Sequence, residues 1–302
     1  MTTGIQHRRD PWTIDDSEFS GLKGHQERME LLLRYAVLAP SGHNTQPWTF
    51  AIVADGIEVF ADYTRRLPQA DPADRELLMS VGAAIFNLRV AAAQFGYESS
   101  VIHQRTDRET APAALVTLRE TAAPDPSLRR LFPAILRRRT NRHPFDGRPI
   151  DVDELSSLCD VADEYPDFIH FLLPRDTARI ADLVAQGDRM QMENRAVREE
   201  LADWVRSTRL TASLLIVMTA EDDRVSLLRA GELLERLLLT TTLAGLQYSF
   251  MNQPIQVATL RHLLEPIVSA KHPPQLLLRI GYAPPVEQPM PRRDVAEVLQ
   301  CS

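Results

Sequence analysis

Two separated stretches of this sequence carry residue types suited to a single ligand. Residues 39–48 read A-P-S-G-H-N-T-Q-P-W, and residues 137–145 read R-R-R-T-N-R-H-P-F. In the first, Pro40 and Gly42 shape a turn, while Ser41, His43, Asn44 and Gln46 offer hydrogen bonds to a flat heterocycle. In the second, Arg137, Arg138, Arg139 and Arg142 supply the permanent positive charge that an anionic cofactor phosphate needs. The same arginines could instead form a solvated helix end. His43 reads either as an exposed loop residue or as a catalytic one, and Trp48, just before a strand-like run, reads as core packing.

The elements that must position these groups come from a chain of 302 residues, 44% hydrophobic, long enough for one large domain or two. A net charge of -7 argues against general nucleic-acid binding. Cys159 and Cys301 are the only cysteines, so neither a disulfide framework nor a four-cysteine metal site is available, and a reducing cytoplasm is the expected setting. Residues 1–12 contain His7, Arg8 and Arg9 with no apolar run behind them, which argues against an export signal. Apolar runs such as 214–218 and 276–278 are too short to span a bilayer. There is no G-x-S-x-G, H-E-x-x-H, P-loop or G-x-G-x-x-G pattern, so no hydrolase triad, zinc site or Rossmann nicotinamide domain is indicated.

One pair of segments aligns without gaps: 82–101, GAAIFNLRVAAAQFGYESSV, and 231–250, GELLERLLLTTTLAGLQYSF. Apolar residues at helical spacing (Ile85, Leu88, Ala92 and Phe95; Leu234, Leu237, Leu238 and Leu243) predict buried helices over 82–95 and 231–244, stopped by Gly96 and Gly245. Strand-like runs follow at 114–118 and 275–280. More loosely, 30–39 and 154–164 read as amphipathic helices leading to strands at 48–53 and 168–173. Pro124, Pro126 and Pro133 mark 125–137 as an irregular connector. The copies differ where chemistry belongs: the polar turn 40–47 has only Tyr165, Pro166 and Asp167 as its counterpart, and 137–142 has only 7–11. Duplication followed by loss leaves one good site and one ruined one; coincidence is the competing account.

The order of helix, A-P-S-G-H-N-T-Q-P-W loop and strand resembles the flavin loop of the nitroreductase family. N-Q-P-I at 252–255, P-Q-L-L-L-R-I-G-Y at 274–282 and P-R-R at 291–293 are similar to its Acg-type subgroup, in which two nitroreductase halves are fused. The resemblance covers about 27–299. It implies an α+β fold with two mostly antiparallel sheets, an internal duplication with halves 1–134 and 135–302, and a monomeric pseudo-dimer holding FMN. By motif position, Arg138 and Thr140 meet the phosphate and ribityl chain, Arg142 the pyrimidine edge, and Arg292 and Arg293 close the phosphate pocket. Pro40, Ser41, Gly42 and Asn44 line the isoalloxazine, Gln46 supports the loop, and Asn252 and Gln253 face the reactive edge.

The implied activity is ping-pong transfer of two electrons from NAD(P)H to a nitroaromatic or quinone-like acceptor, with no catalytic side chain, metal, nucleic acid or membrane required. The resemblance also admits a protein that sequesters FMN under a lid, for which 187–209 is the candidate, with Met190, Met192, Val197, Leu201 and Trp204 as its apolar underside. An ordinary core helix fits that spacing equally. A flavin-free structural protein is the third reading, with the arginines as surface charge.

Overall fold

The computed structural model describes residues 10–106, 108–164, 168–172, 174–193, 213–267 and 272–300. The first half comprises α1 (His25–Ala36), β1 (Trp48–Val53), β2 (Gly56–Ala61), α2 (Arg75–Gln94), β3 (Tyr97–His103) and β4 (Ala114–Glu120). Two short helices, α3 (Pro126–Arg129) and α4 (Phe132–Ile135), lead into the second half. There, α5 (Val152–Glu164), β5 (Ile169–Phe171), α6 (Pro174–Glu193), β6 (Ser213–Met218) and α7 (Arg224–Leu243) are followed by β7 (Gln247–Phe250). The chain continues through α8 (Gln253–Gln256), α9 (Ala258–Leu264), β8 (Pro274–Gly281) and α10 (Val295–Val298).

The sheets have the orders β1-β2-β4-β3 and β5-β6-β8-β7, antiparallel throughout. Each half therefore repeats one strand order around one long helix. The repeat extends to residue level. Helices α2 and α7 both begin seven positions before their alignable glycine and both run 20 residues. The sequence pattern starts them at Gly82 and Gly231; the extra turns come from the aspartates ahead of them. The Asp71 carboxylate accepts from the amides of Arg75 and Leu77, each at 2.9 Å, and that of Asp223 from Ser226 at 2.7 Å. Both helices end where expected, at Gly96 and Gly245, whose φ values of 83° and 74° favour glycine.

The two helices cross at their glycines. A Cβ on Gly82 would lie 2.0 Å from the Leu228 carbonyl oxygen, and one on Gly231 would lie 2.0 Å from that of Met79. One offset of 149 positions relates both glycines and both carbonyls, so the contact is self-complementary, as across a two-fold axis. Around the crossing, one apolar cluster draws on both halves, including Met29, Trp48 and Ile85 from the first and Leu237, Tyr248 and Leu278 from the second. Trp48 is fully buried within it. Arg75–Gln94 is the one described helix long and apolar enough to cross a membrane; 89% of its apolar window is buried inside the protein.

A smaller apolar cluster joins Ile180, Leu183 and Val184 of α6 and Leu260 and Leu264 of α9 to Ile216 and Leu277 of the second sheet. That cover explains why β8 is buried at every position while β3 alternates with exposed residues. Two local expectations need correction. Two of the connector prolines, Pro126 and Pro133, do not interrupt structure but sit in the first turns of α3 and α4, where a missing N–H costs nothing, and Asp125 caps α3 through the Ser127 amide at 2.8 Å, while Pro124 lies in the irregular stretch before it. The strand expected at 168–173 is only Ile169–Phe171.

The C-terminal run returns to the first half. The Gln300 amide donates to the Phe50 carbonyl at 2.8 Å, and Leu299 forms an isolated parallel bridge with the same residue. Replacing Gly82 or Gly231 by alanine forces the helices apart and is expected to destabilise by about 1–3 kcal/mol, despite alanine's better helix propensity. A fall in the urea midpoint at constant slope checks this; unchanged midpoints would show that the crossing is not close.

Candidate active site

The loop after α1 is held in an unusual backbone. His43, Asn44 and Gln46 have φ values of 47°, 57° and 51°, left-handed geometry that non-glycine residues adopt only when their surroundings enforce it. The surroundings do. Ser41 Oγ accepts from the Gln46 amide at 2.9 Å, Ser80 Oγ from the Gly42 amide at 3.2 Å, and the Thr45 carbonyl from Arg65. The C-terminal arginines complete the brace. Arg292 donates to Asn44 Oδ1 at 2.8 Å, and Asn44 Nδ2 donates to the Pro291 carbonyl at 3.1 Å. The Arg293 amide donates to Gln46 Oε1 at 2.7 Å, and its guanidinium to the Gln46 carbonyl at 3.1 Å.

A cavity of about 190 Å³ opens beside this loop, lined by Pro40, Ser41, Gly42, His43, Thr140, Arg142, Asn252 and Gln253, among others. Seven of the twelve residues that the family resemblance assigns to the cofactor thus meet there, together with His43. The other five stand behind the wall: Asn44, Gln46, Arg292 and Arg293 in the brace just described, and Arg138 deeper. Only 2% exposed, Arg138 donates to the Tyr248 hydroxyl at 2.5 Å and the Leu38 carbonyl at 3.1 Å, and faces Glu235 at 3.4 Å. Arg138 is no surface charge; it anchors α7 and β7 to the end of α1.

Around that anchor the positive charges gather. Arg139 and Arg292 stack on Trp12, their guanidinium carbons 4.0 and 5.1 Å from the ring centre. Burial, and then the like charge of Arg138, lower Arg292 to about 9. The Nε atoms of Arg139 and Arg292 are buried with no hydrogen-bond partner among the described residues. Unsatisfied buried guanidinium donors of this kind fit an anion such as a phosphate.

Two functional residues were missed in the sequence. Glu76, in the first turn of α2, lines the cavity and accepts from Asn252 Nδ2 at 3.0 Å and Gln256 Nε2 at 2.8 Å; burial raises its pKa. Asn141 is fully buried and staples the arginine segment, donating to Gln247 Oε1 at 3.0 Å and the Pro284 carbonyl at 2.7 Å while its own amide reaches the Tyr248 carbonyl at 2.9 Å. The 149-position offset between the two long helices offered a signal for Glu76: the matching position is Val225, an acid-for-apolar difference between otherwise similar helix starts.

On the open side, Gln191 of α6 lines the cavity and donates to Gln256 Oε1 at 2.7 Å. Of the candidate lid 187–209, residues 187–193 belong to α6, and the rest lies outside the described residues.

No family profile matches the chain. It is 27% identical over 317 aligned residues to the Mycobacterium tuberculosis protein "Putative NAD(P)H nitroreductase Rv3131", covering 91% of each. It is likewise 27% identical to that organism's "Putative NAD(P)H nitroreductase acg", covering 88% of this chain and 93% of that one. The solved structure of "a putative nitroreductase from anabaena variabilis" superposes with a TM-score of 0.55 at 12% identity, over 89% of this chain and 91% of that one. The fold is nitroreductase-like. The resemblance to nitroreductases, acg included, runs along nearly the entire chain.

Burial pushes Glu235 up to about 7, against the opposing pull of Arg138 and Arg292. Its ionisation therefore costs folded stability, and the cost grows as pH rises from about 4.5 to about 7. Glu235→Gln removes that cost, so its stability relative to the parent is expected to rise by up to about 3 kcal/mol across this window. Urea midpoints at pH 5 and pH 8 test it; a difference that is the same at both would show that Glu235 titrates ordinarily.

Proposed function

We propose that this protein binds FMN in the cavity beside residues 40–47 and acts as an NAD(P)H-dependent oxidoreductase of nitroreductase type, reducing nitroaromatic or quinone-like acceptors by a ping-pong mechanism. The observation that carries the reading is the convergence of the loop, the arginine segment and Asn252–Gln253 on one cavity, with unsatisfied arginine donors behind it. Flavin, when bound, supplies the redox chemistry, taking a hydride from the nicotinamide and passing two electrons on.

The protein's residues bind and tune. Pro40, Ser41 and Gly42 give a flat polar wall; Arg138, Arg139, Thr140 and Arg292 form the phosphate end, with Arg293 fixing the loop. Arg142 places positive charge in the cavity, where it stabilises negative charge on a ring system. Asn252 is oriented from both ends, donating to Glu76 and accepting the Leu277 amide at 3.0 Å, so its amide is preset toward the ligand. Burial favours the neutral form of Glu76, limiting competing negative charge beside an anionic ring.

A specific observation also favours the second reading, FMN sequestration. The cavity is walled on one side by Gln191 of α6. The Gln191–Gln256 hydrogen bond holds the end of α6 over it. An acceptor then needs α6 to move outward.

Anaerobic stopped-flow absorbance separates the two. Rapid bleaching of the bound flavin on adding NADPH or NADH is expected for the reductase; flavin that stays oxidised with both would leave sequestration. For the site itself, Arg142→Ala is expected to weaken FMN binding about 10- to 150-fold, the worth of one charge-assisted hydrogen bond. Arg142 is exposed, so the unfolding midpoint should hold. Unchanged affinity in a fluorescence titration would remove Arg142 from the site.

A further inference from the structure

The 149-position offset that relates the crossing helices also relates two cavities. Ser80, Phe250 and Asn252, which line the cavity beside the loop, correspond to Arg229, Val101 and His103. Those three line a second cavity, of about 460 Å³, on the other side of the helix pair. It lies where the pseudo-two-fold axis would place a second copy of the first site, but its chemistry is different. Neutral Ser80 is matched by Arg229, and neutral Asn252 by His103.

Charge and shape together define what would fit. Glu232 is engaged at both carboxylate oxygens, with His103 Nε2 2.7 Å from Oε1 and Arg89 Nη1 2.7 Å from Oε2. Its charge is thereby spent within the wall. Against this one carboxylate the lining holds three guanidiniums, those of Arg89, Arg229 and Arg236, and the buried Nε of Arg89 has no hydrogen-bond partner among the described residues. Asp125 and Asp223 are close enough to Arg236 and Arg229 for those charges to help lower their own pKa values, but neither lines the cavity. The floor is apolar, with Phe86, Phe168, Met218 and Leu233. The volume falls within the range of ordinary small-molecule sites.

We propose that this second cavity is a binding site for an aromatic carboxylate, a flat apolar body on the Phe86–Phe168 floor with its anionic group on the arginines. Forked guanidinium donors match a carboxylate, and the aromatic floor rewards a ring over an aliphatic chain. The site is independent of the FMN reading: no residue is shared between the two linings.

Isothermal titration with 2-naphthoate tests it on the purified protein, on Arg229→Gln/Arg236→Gln, and on Arg142→Ala. Arg229 is exposed and Arg236 half-buried, so the double replacement leaves the core intact; Arg229→Gln alone serves if the pair does not fold. One equivalent is expected to bind. Affinity should fall at least 10-fold in the double variant, about 3-fold or more in the single one, and not at all in Arg142→Ala. The neutral analogue 2-naphthalenemethanol should bind at least 10-fold more weakly than 2-naphthoate. The proposal is overturned if the arginine variants bind like the parent, if Arg142→Ala is equally impaired, or if the neutral analogue binds as well. It is overturned too if FMN binds in two equivalents with the second lost in the double variant, since the cavity would then be a second flavin site.

Discussion

Everything in this protein is hung on the crossing of two helices at Gly82 and Gly231. Backbone meets backbone there, with no room for a methyl group on either side. Such closeness fixes the separation and rotation of α2 and α7, and through them the two sheets each helix carries. It also sets a distance requirement for the candidate active site. Glu76 lies six residues before Gly82, and Leu234, which lines the same cavity, lies three residues after Gly231. The cavity is therefore spanned by the crossing pair, and its width follows from how nearly the helices touch.

A second constraint is electrostatic. The interior around the candidate phosphate end holds Arg138 and Arg292 with Glu235 as a partly effective counter-charge. Burying guanidinium groups is costly unless something repays it. Part of the repayment is visible as carbonyls, Tyr248 and Trp12; the unpaired Nε atoms mark the part that is not. The opposite face of the helix pair uses the same residue type differently, setting Arg89 against Glu232 in a wall that remains net positive. The helix crossing and strand orders of the two halves match, while the chemistry of the two cavities differs.

Much of this was legible in the sequence, and what was not has identifiable causes. Gly96 and Gly245 stop their helices because the signal is local, a left-handed residue after an apolar run. The starts were misread because the gap-free match between the copies begins only at Gly82 and Gly231, whereas Leu77, Leu78 and Val81, and Leu227 and Leu228, already carry the apolar period, and Asp71 and Asp223 cap the helices further upstream. The loop and the arginine segment stood out through unusual composition. Glu76 did not: an acid in a first helical turn is what the helix dipole favours anyway, and its burial is created by Asn252 and Gln256, 176 and 180 residues away. Asn141 was overshadowed by the arginines beside it. Arg138 was noticed, but its depth depends on Tyr248 and Glu235, which no local pattern connects to it.

The brace between residues 290–293 and the loop has a consequence in time. Asn44 and Gln46 leave the ribosome about 250 residues before the groups that hold them. Until then the left-handed loop has lost its strongest enforcers, and the first sheet lacks the strand-like edge that Gln300 lays along Phe50. Contacts of such sequence separation form late. A nascent chain can assemble its first helices and hairpins early, but the loop at 40–47 is set only once residues 290–293 have emerged.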